Sequence, residues 1–282
     1  MVQLRGDDGG QVSGSARGST PAAHAPAGGT PAGAAPPPPP LVRYGNFLFK
    51  YRDALFPAVL LAIFFLSRPR WPSGDGRLDD LLDLVGVGVA LAGQALRVAV
   101  VGYAYIIRGG KNKQVYAEEL VTRGFFNHSR NPLYLGNLLI LFGLLLLWNA
   151  PAAYLIGGTL FLVGYVAIVA AEEEFLRGKF GVQYDAYAAR VPRWRIRLRG
   201  FRASMEGTAF NWRRVVLKEY GSAAYWIAAA FVLMLADSLR YQAWDTHQRR
   251  HALLVLGIAV VATLWTWARW LKKTKRLRSP DS

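Results

Sequence analysis

The chain has 282 residues, 52% of them hydrophobic and 18% charged, with a formal charge of +16 and no cysteine. The missing cysteine excludes disulfides, cysteine-ligated zinc, iron–sulfur clusters and thiol nucleophiles. The four histidines, His24, His128, His247 and His251, are not spaced as a metal set, so no metal is expected. The basic residues fall between apolar blocks rather than in one soluble patch, which argues for loops against an anionic leaflet and against nucleic acid.

Residues 1–40 are rich in Gly, Ala, Pro, Ser and Thr and close on a proline run, Pro36 to Pro40. Such a stretch has too little large apolar surface to offset its ordering entropy, and it reads as a disordered tail. Six apolar blocks follow, at about 53–67, 81–107, 133–148, 152–171, 222–239 and 252–270. Their lengths suit a hydrocarbon core of roughly 30 Å. The expected organisation is a tail (1–40), a first transmembrane helix and loop (41–80), a membrane core (81–200) and a two-helix extension (201–282). The segments 43–52, 108–130, 172–221 and 269–278 hold 25 Lys and Arg, against 6 in 68–80, 149–151 and 237–251. Alternating spans place the 25 on one side. The expected fold is all-α, a polytopic transmembrane helical bundle of about six helices. The expected place is a plasma (inner) membrane, with both termini and the active site on its cytoplasmic face.

Two segments on that face carry chemistry. The first runs from Leu120 to Gly136 and contains Arg130, Asn131, Pro132 and Tyr134. The second runs from Glu172 to Arg193. They flank the 133–171 hairpin, and an antiparallel hairpin returns to the face it left, so topology alone brings them together. Asn131 before Pro132 reads as an N-cap with proline at the first helical position. The helix N-terminus and the Arg130 guanidinium suit an anion. Glu172, Glu173 and Glu174 are expected to close the fourth helix, where negative charge opposes the helix dipole. Glu174 reads as a partner of Arg177, and Glu172 and Glu173 as site residues. Phe180, Tyr184 and Tyr187 recur at helical spacing and suit either an interfacial anchor or a ligand contact. Arg193, Arg195, Arg197 and Arg199 read mainly as a lipid-headgroup feature. Arg97 stands inside the second apolar block.

The first segment resembles the Leu-Val-Thr-x-Gly-x-Tyr…Arg-His-Pro-x-Tyr-x-Gly signature of the isoprenylcysteine carboxyl methyltransferase and phospholipid methyltransferase group. The second resembles its Glu-Glu…Phe-Gly-x-x-Tyr-x-x-Tyr…Val-Pro-Arg signature. Asn131 stands where the prenylcysteine enzymes have His, and Phe126 where Tyr is usual. The resemblance implies an integral membrane methyltransferase that uses S-adenosylmethionine on a lipophilic small-molecule or lipid acceptor. It implies cofactor contacts at Arg130, Asn131, Tyr134, Glu172, Glu173, Tyr184 and Tyr187, and a catalytic set of Arg193, Glu172 and Glu173. Gly86-Val87-Gly88 resembles a small Gly-x-Gly element of the phospholipid enzymes, although such a pair in a transmembrane helix is more often a packing contact. A carboxylate acceptor would need a cation, for which Arg193 is the candidate. An amine acceptor would need a base, for which Glu172 or Glu173 is available. The alternative is an NADPH-dependent membrane sterol or steroid-type reductase, which shares a similar hairpin without the Glu-Glu pair. Because the matched segments end near Arg193, a chain truncated after about residue 215 is expected to keep cofactor binding.

Overall fold

The computed structural model describes residues 37–69, 76–103, 115, 117, 119–241 and 248–274. The expectations for the tail up to residue 36, for loop residues 70–75, 104–114 and 242–247, and for the basic end from 275 onward lie outside the described residues.

Each apolar block forms a helix, and no strand occurs among the described residues. The order is α1 (Pro40–Leu66), α2 (Gly76–Tyr103), α3 (Pro132–Trp148), α4 (Gly158–Phe180), α5 (Val182–Arg190), α6 (Phe201–Met205), α7 (Trp212–Tyr241) and α8 (Gln248–Lys273). A short 3-10 turn, Gly124–Asn127, precedes α3, and a π turn, Ala153–Gly157, leads into α4. Among the described residues, four segments are long and apolar enough to cross a bilayer: Arg77–Tyr103, Ala153–Phe180, Trp212–Arg240 and Gln248–Lys273. Pro132–Trp148 is apolar but shorter, spanning about 25 Å at 1.5 Å per residue.

Two boundaries differ from expectation for physical reasons. Helix α1 starts thirteen residues before the apolar block at 53–67, with proline at its first turn. Val42, Gly45, Leu48 and Phe49 keep a helical period and are buried, so one face docks although Arg43, Lys50 and Arg52 lower the average hydropathy. Helix α4 does not end at the glutamates. It continues to Phe180 and stops at Gly181, whose φ is +50°. The three carboxylates are therefore inside the helix, and helix-end repulsion does not explain them.

Glycines set how the helices pair. A Cβ on Gly143 would lie 2.5 Å from the Gly86 carbonyl oxygen, and one on Gly93 would lie 2.6 Å from that of Gly136. Helices α2 and α3 thus touch backbone to backbone at two points seven residues apart, with Ala90 fully buried between. Close approach through small residues is how helices gain contact in lipid, where burial itself drives little association. Gly45 of α1 meets the Ala167 backbone of α4 in the same way. Gly86 is therefore a packing residue, whereas Gly88 faces open space.

Helix α3 ends at Asn149, which adopts φ +46° and donates its N–H to the carbonyls of Leu145 and Leu146. The chain then turns back into α4. The two arms of this hairpin share few contacts, because α3 lies against α2 and α4 lies against α1. Helix α7 packs on α2, α3 and α8, and its Trp226, Ala230 and Leu233 join Leu144, Leu145 and Trp148 in the main core. The paired helices leave a cavity between them.

Candidate active site

The two signature segments meet as the hairpin topology requires. The Arg130 N–H donates to the Pro192 carbonyl at 2.9 Å, and the Arg197 N–H donates to the His128 carbonyl at 3.1 Å. His128 is buried, with Nδ1 against the Arg197 carbonyl and Nε2 2.5 Å from Ser204 Oγ. Asn131 does precede the first turn of α3, but its side chain makes no cap bond. Its amide instead donates to the Arg193 carbonyl at 3.1 Å and ties the two segments together.

The adjacent glutamates face different partners. Glu173 is buried and takes Arg193 through both carboxylate oxygens, Nε at 3.0 Å and Nη2 closer still. Arg130 approaches the same carboxylate at 3.3 Å. Arg130 is therefore an ion-pair partner of Glu173, although its Nε is buried without a hydrogen-bond partner among the described residues. Glu172 points the other way. It accepts from the Tyr134 hydroxyl at 2.5 Å, and that hydroxyl accepts from Arg52 Nη1 at 3.1 Å. Glu174 is exposed and 3.5 Å from Arg177, as its spacing predicts.

Tyr184 and Tyr187 sit on α5, both buried, and pack with Val191 against Leu120 and Leu176. The Tyr187 hydroxyl donates to the Phe126 carbonyl at 2.6 Å. Burial lifts the Tyr184 hydroxyl to a pKa of about 12, with the Glu173 charge adding to the rise, and burial likewise raises Tyr187. Both remain neutral hydroxyls at physiological pH.

A cavity of about 1570 Å³ opens from these residues into the bundle. Arg130, Asn131, Tyr134, Glu172, Tyr184 and Tyr187 line its polar end, together with Arg52. Glu173 and Arg193 stand behind that wall, joined to each other. Further in, the walls are Phe56, Leu60 and Phe64 from α1, Ile140, Leu141 and Leu144 from α3, and Tyr225, Ala229 and Leu233 from α7. Ligand pockets generally measure about 300–1,000 Å³, so this volume exceeds what one small ligand needs. Among the described residues, no group of three or more His, Cys, Asp and Glu is arranged to hold a metal.

The sequence reading missed several cavity residues. Arg52 resembled an ordinary flanking cation. Asn137, an amide inside an apolar helix, carried a usable signal, because polar residues in spans are costly and tend toward function. Arg97 was visible, but its partner was not. Glu219 of α7 receives Arg97 at 2.9–3.1 Å, and the two side chains are each only 3% exposed. Gln94 completes this group by donating to Glu219 and accepting from Trp226. Helix α7 is thus part of the cavity wall.

The profile of the phospholipid methyltransferase family matches residues 84–183. Among curated proteins, the cobalt-zinc-cadmium resistance protein CzcN of Cupriavidus metallidurans is 31% identical over 166 residues. That alignment covers 58% of this chain and 72% of the relative. No solved structure matches.

Proposed function

The chain belongs to the phospholipid methyltransferase family of membrane proteins, and from that premise we propose that it transfers a methyl group from S-adenosylmethionine to a lipophilic acceptor. The observation that carries this reading is one continuous cavity, large enough for two ligands, with a charged and aromatic end and a long apolar end. S-adenosylmethionine supplies an electrophilic methyl on a positive sulfur. The polar end offers Glu172 for its ammonium or ribose hydroxyls, the Arg130 guanidinium for its carboxylate, and Tyr134, Tyr184 and Tyr187 as further contacts. Glu173, Arg193 and Asn131 then act as positioning residues. They hold the wall on which Arg130 and Glu172 stand.

Methyl transfer from a sulfonium requires alignment and exclusion of water more than covalent help. The apolar walls exclude water, and the opposed helix pairs α2–α3 and α1–α4 fix the geometry. For an amine acceptor Glu172, which lines the cavity, is the group that can take a proton. For a carboxylate acceptor the cation comes from Arg52 or Arg130, which line the same end, because Arg193 is held by Glu173. The reductase alternative is set aside, since the family match is to methyltransferases. The basic-residue asymmetry supports a cytoplasmic position for the polar end.

The test is methyl transfer itself. Purified protein in vesicles of total membrane lipid, supplied with S-adenosylmethionine labelled on the methyl, should put label into the organic-soluble fraction. The Glu172→Gln variant should do so at least tenfold more slowly. Label that stays wholly aqueous with folded wild-type protein contradicts the proposal.

A further inference from the structure

Helices α1 and α7 are held from outside and not by each other. Helix α1 packs on α4, where Phe56 sets its ring edge-on to Phe161 and Tyr165. Helix α7 packs on α2, α3 and α8. Among the described residues no packed interface forms between α1 and α7. Asp53, Pro57 and Leu61 on α1 line the cavity and are also exposed. Their spacing of four residues keeps them in one row. Tyr225 and Val232 on α7 likewise line the cavity and are exposed, with the half-buried Ala228 between them. Residues that face both the cavity and the outside are its rims. The cavity therefore opens along a slot between these two rows.

The slot is apolar below its mouth. Neither α1 from Ala54 to Leu66 nor α7 from Gly221 to Ala236 carries a charge. Arg52 marks the polar end by donating to Tyr134, and Leu61 lies nine residues further along α1, about 13 Å deeper. Small residues in spans ordinarily let a neighbouring helix come close. Ala228 and Ala229 face the cavity instead and leave it room. An apolar slot open to lipid takes up hydrocarbon, since water in it would find no polar partners. The inner wall includes Ile140 and Leu144 of α3, which line the cavity and are buried. A chain in the surrounding bilayer does not reach them. A chain in the slot does.

We propose that the slot holds one hydrocarbon chain of a bilayer lipid, entering sideways between α1 and α7, with Leu61 and Ala228 deciding what fits. Taking that lipid to be the methyl acceptor rests on the methyltransferase reading; the place of its chain does not. Slot and polar end are one cavity, so a lipid with its chain along Leu61 and Ala228 brings its head group toward the site. Both rims belong to helices outside residues 84–183, the region matched by the family profile. Chain selection is thus a property of the flanking helices and not of the matched core.

The experiment uses full-length protein in vesicles of total membrane lipid. The probe is a trace of phosphatidylethanolamine carrying a photoreactive diazirine on one acyl chain. Cross-links are read residue by residue by mass spectrometry, without S-adenosylmethionine. Wild type should carry label at Ile140 or Leu144 as well as at Leu253 and Leu256, which are exposed on α8. Leu61→Trp and Ala228→Trp should lower the α3 label about tenfold, the loss expected on displacing roughly two methylenes. The α8 label should stay unchanged, which reports that each variant is inserted. The same variants should lose methyl transfer by a similar factor and bind S-adenosylmethionine as wild type does. Wild-type label confined to outward-facing residues overturns the proposal, and so does α3 label that both tryptophans leave intact. The wild-type map decides even where a variant fails to fold. Methyl transfer that persists in variants without the α3 label overturns the chain's place in the acceptor. Labelled α3 in a protein that transfers no methyl would instead remove the methyltransferase reading and keep the chain site.

Discussion

Glu172 and Glu173 are neighbours in sequence, yet a 100° turn of helix sends one into the cavity and the other onto two arginines. Their substitutions should therefore separate. Glu172→Gln keeps shape and hydrogen bonding to Tyr134, so melting in detergent should change little. Affinity for S-adenosylmethionine should fall roughly tenfold or more, as expected from losing a charged hydrogen bond of about 1.5–3 kcal/mol. Glu173→Gln leaves Arg130 and Arg193 facing each other with no anion. A wholly buried pair broken on one side loses about 3–5 kcal/mol, and about 2–3 kcal/mol is expected here because Arg193 keeps 42% of its surface exposed. The check is chemical denaturation of the two variants side by side. Equal stability of Glu173→Gln and wild type contradicts the ion-pair assignment. The reading from sequence, which put both glutamates at a helix end, expected relief of repulsion on neutralising either. That reading failed because hydropathy falls at Glu172 while the helix continues. Helices leave a membrane without stopping, and only Gly181 marks the true end.

At the scale of elements, helix existence was legible and helix pairing was not. Six apolar blocks became six helices because each is a long apolar run, a signal local to the chain. Pairing depends on which faces present small residues at matching heights, and one sequence shows that pattern only once the partner is known. Gly86 and Gly88 illustrate the point: two residues apart and equivalent to the eye, one is in backbone contact with Gly143 and the other meets open space. Gly143→Ala should destabilise by about 1–3 kcal/mol, because the added methyl meets a backbone carbonyl that can move only with its helix. Gly88→Ala should be neutral or stabilising by up to about 1 kcal/mol, the gain in helix propensity. Thermal melts of both variants decide it, and a Gly143→Ala protein as stable as wild type would show that α2 and α3 are not in such close contact. The candidate site was legible in its polar half, since Arg130, Tyr134, Glu172, Tyr184 and Tyr187 belong to segments that topology must bring together. Its other half was not. Arg52, Asn137, Tyr165 and Glu219 come from four helices and share no local pattern.

For the whole molecule, α7 alters the expected minimum unit. The matched region ends at 183 and the sequence reading allowed truncation after about residue 215. The structure instead places Glu219 on Arg97 and Trp226 on Gln94. A chain ending there leaves a buried guanidinium without its carboxylate inside the bundle, a loss on the order of 3–5 kcal/mol against a stability of similar size. It should fail to fold, and size-exclusion chromatography in detergent would report aggregate. A monodisperse truncated protein that binds S-adenosylmethionine would contradict this. Topology offers a second check: a reporter fused after Arg199 should read cytoplasmic and one between Asp237 and His251 exterior, because 25 Lys and Arg fall in the sequence segments expected on the first side and 6 in those expected on the other. The central claim is that the polar end of the cavity holds S-adenosylmethionine through Glu172. Its most direct test is equilibrium binding of labelled S-adenosylmethionine to purified wild type and Glu172→Gln, with NADPH measured in parallel. Saturable S-adenosylmethionine binding weakened at least tenfold by the substitution, with none for NADPH, is the predicted result. Equal S-adenosylmethionine binding by both proteins, or saturable NADPH binding in its place, would contradict it.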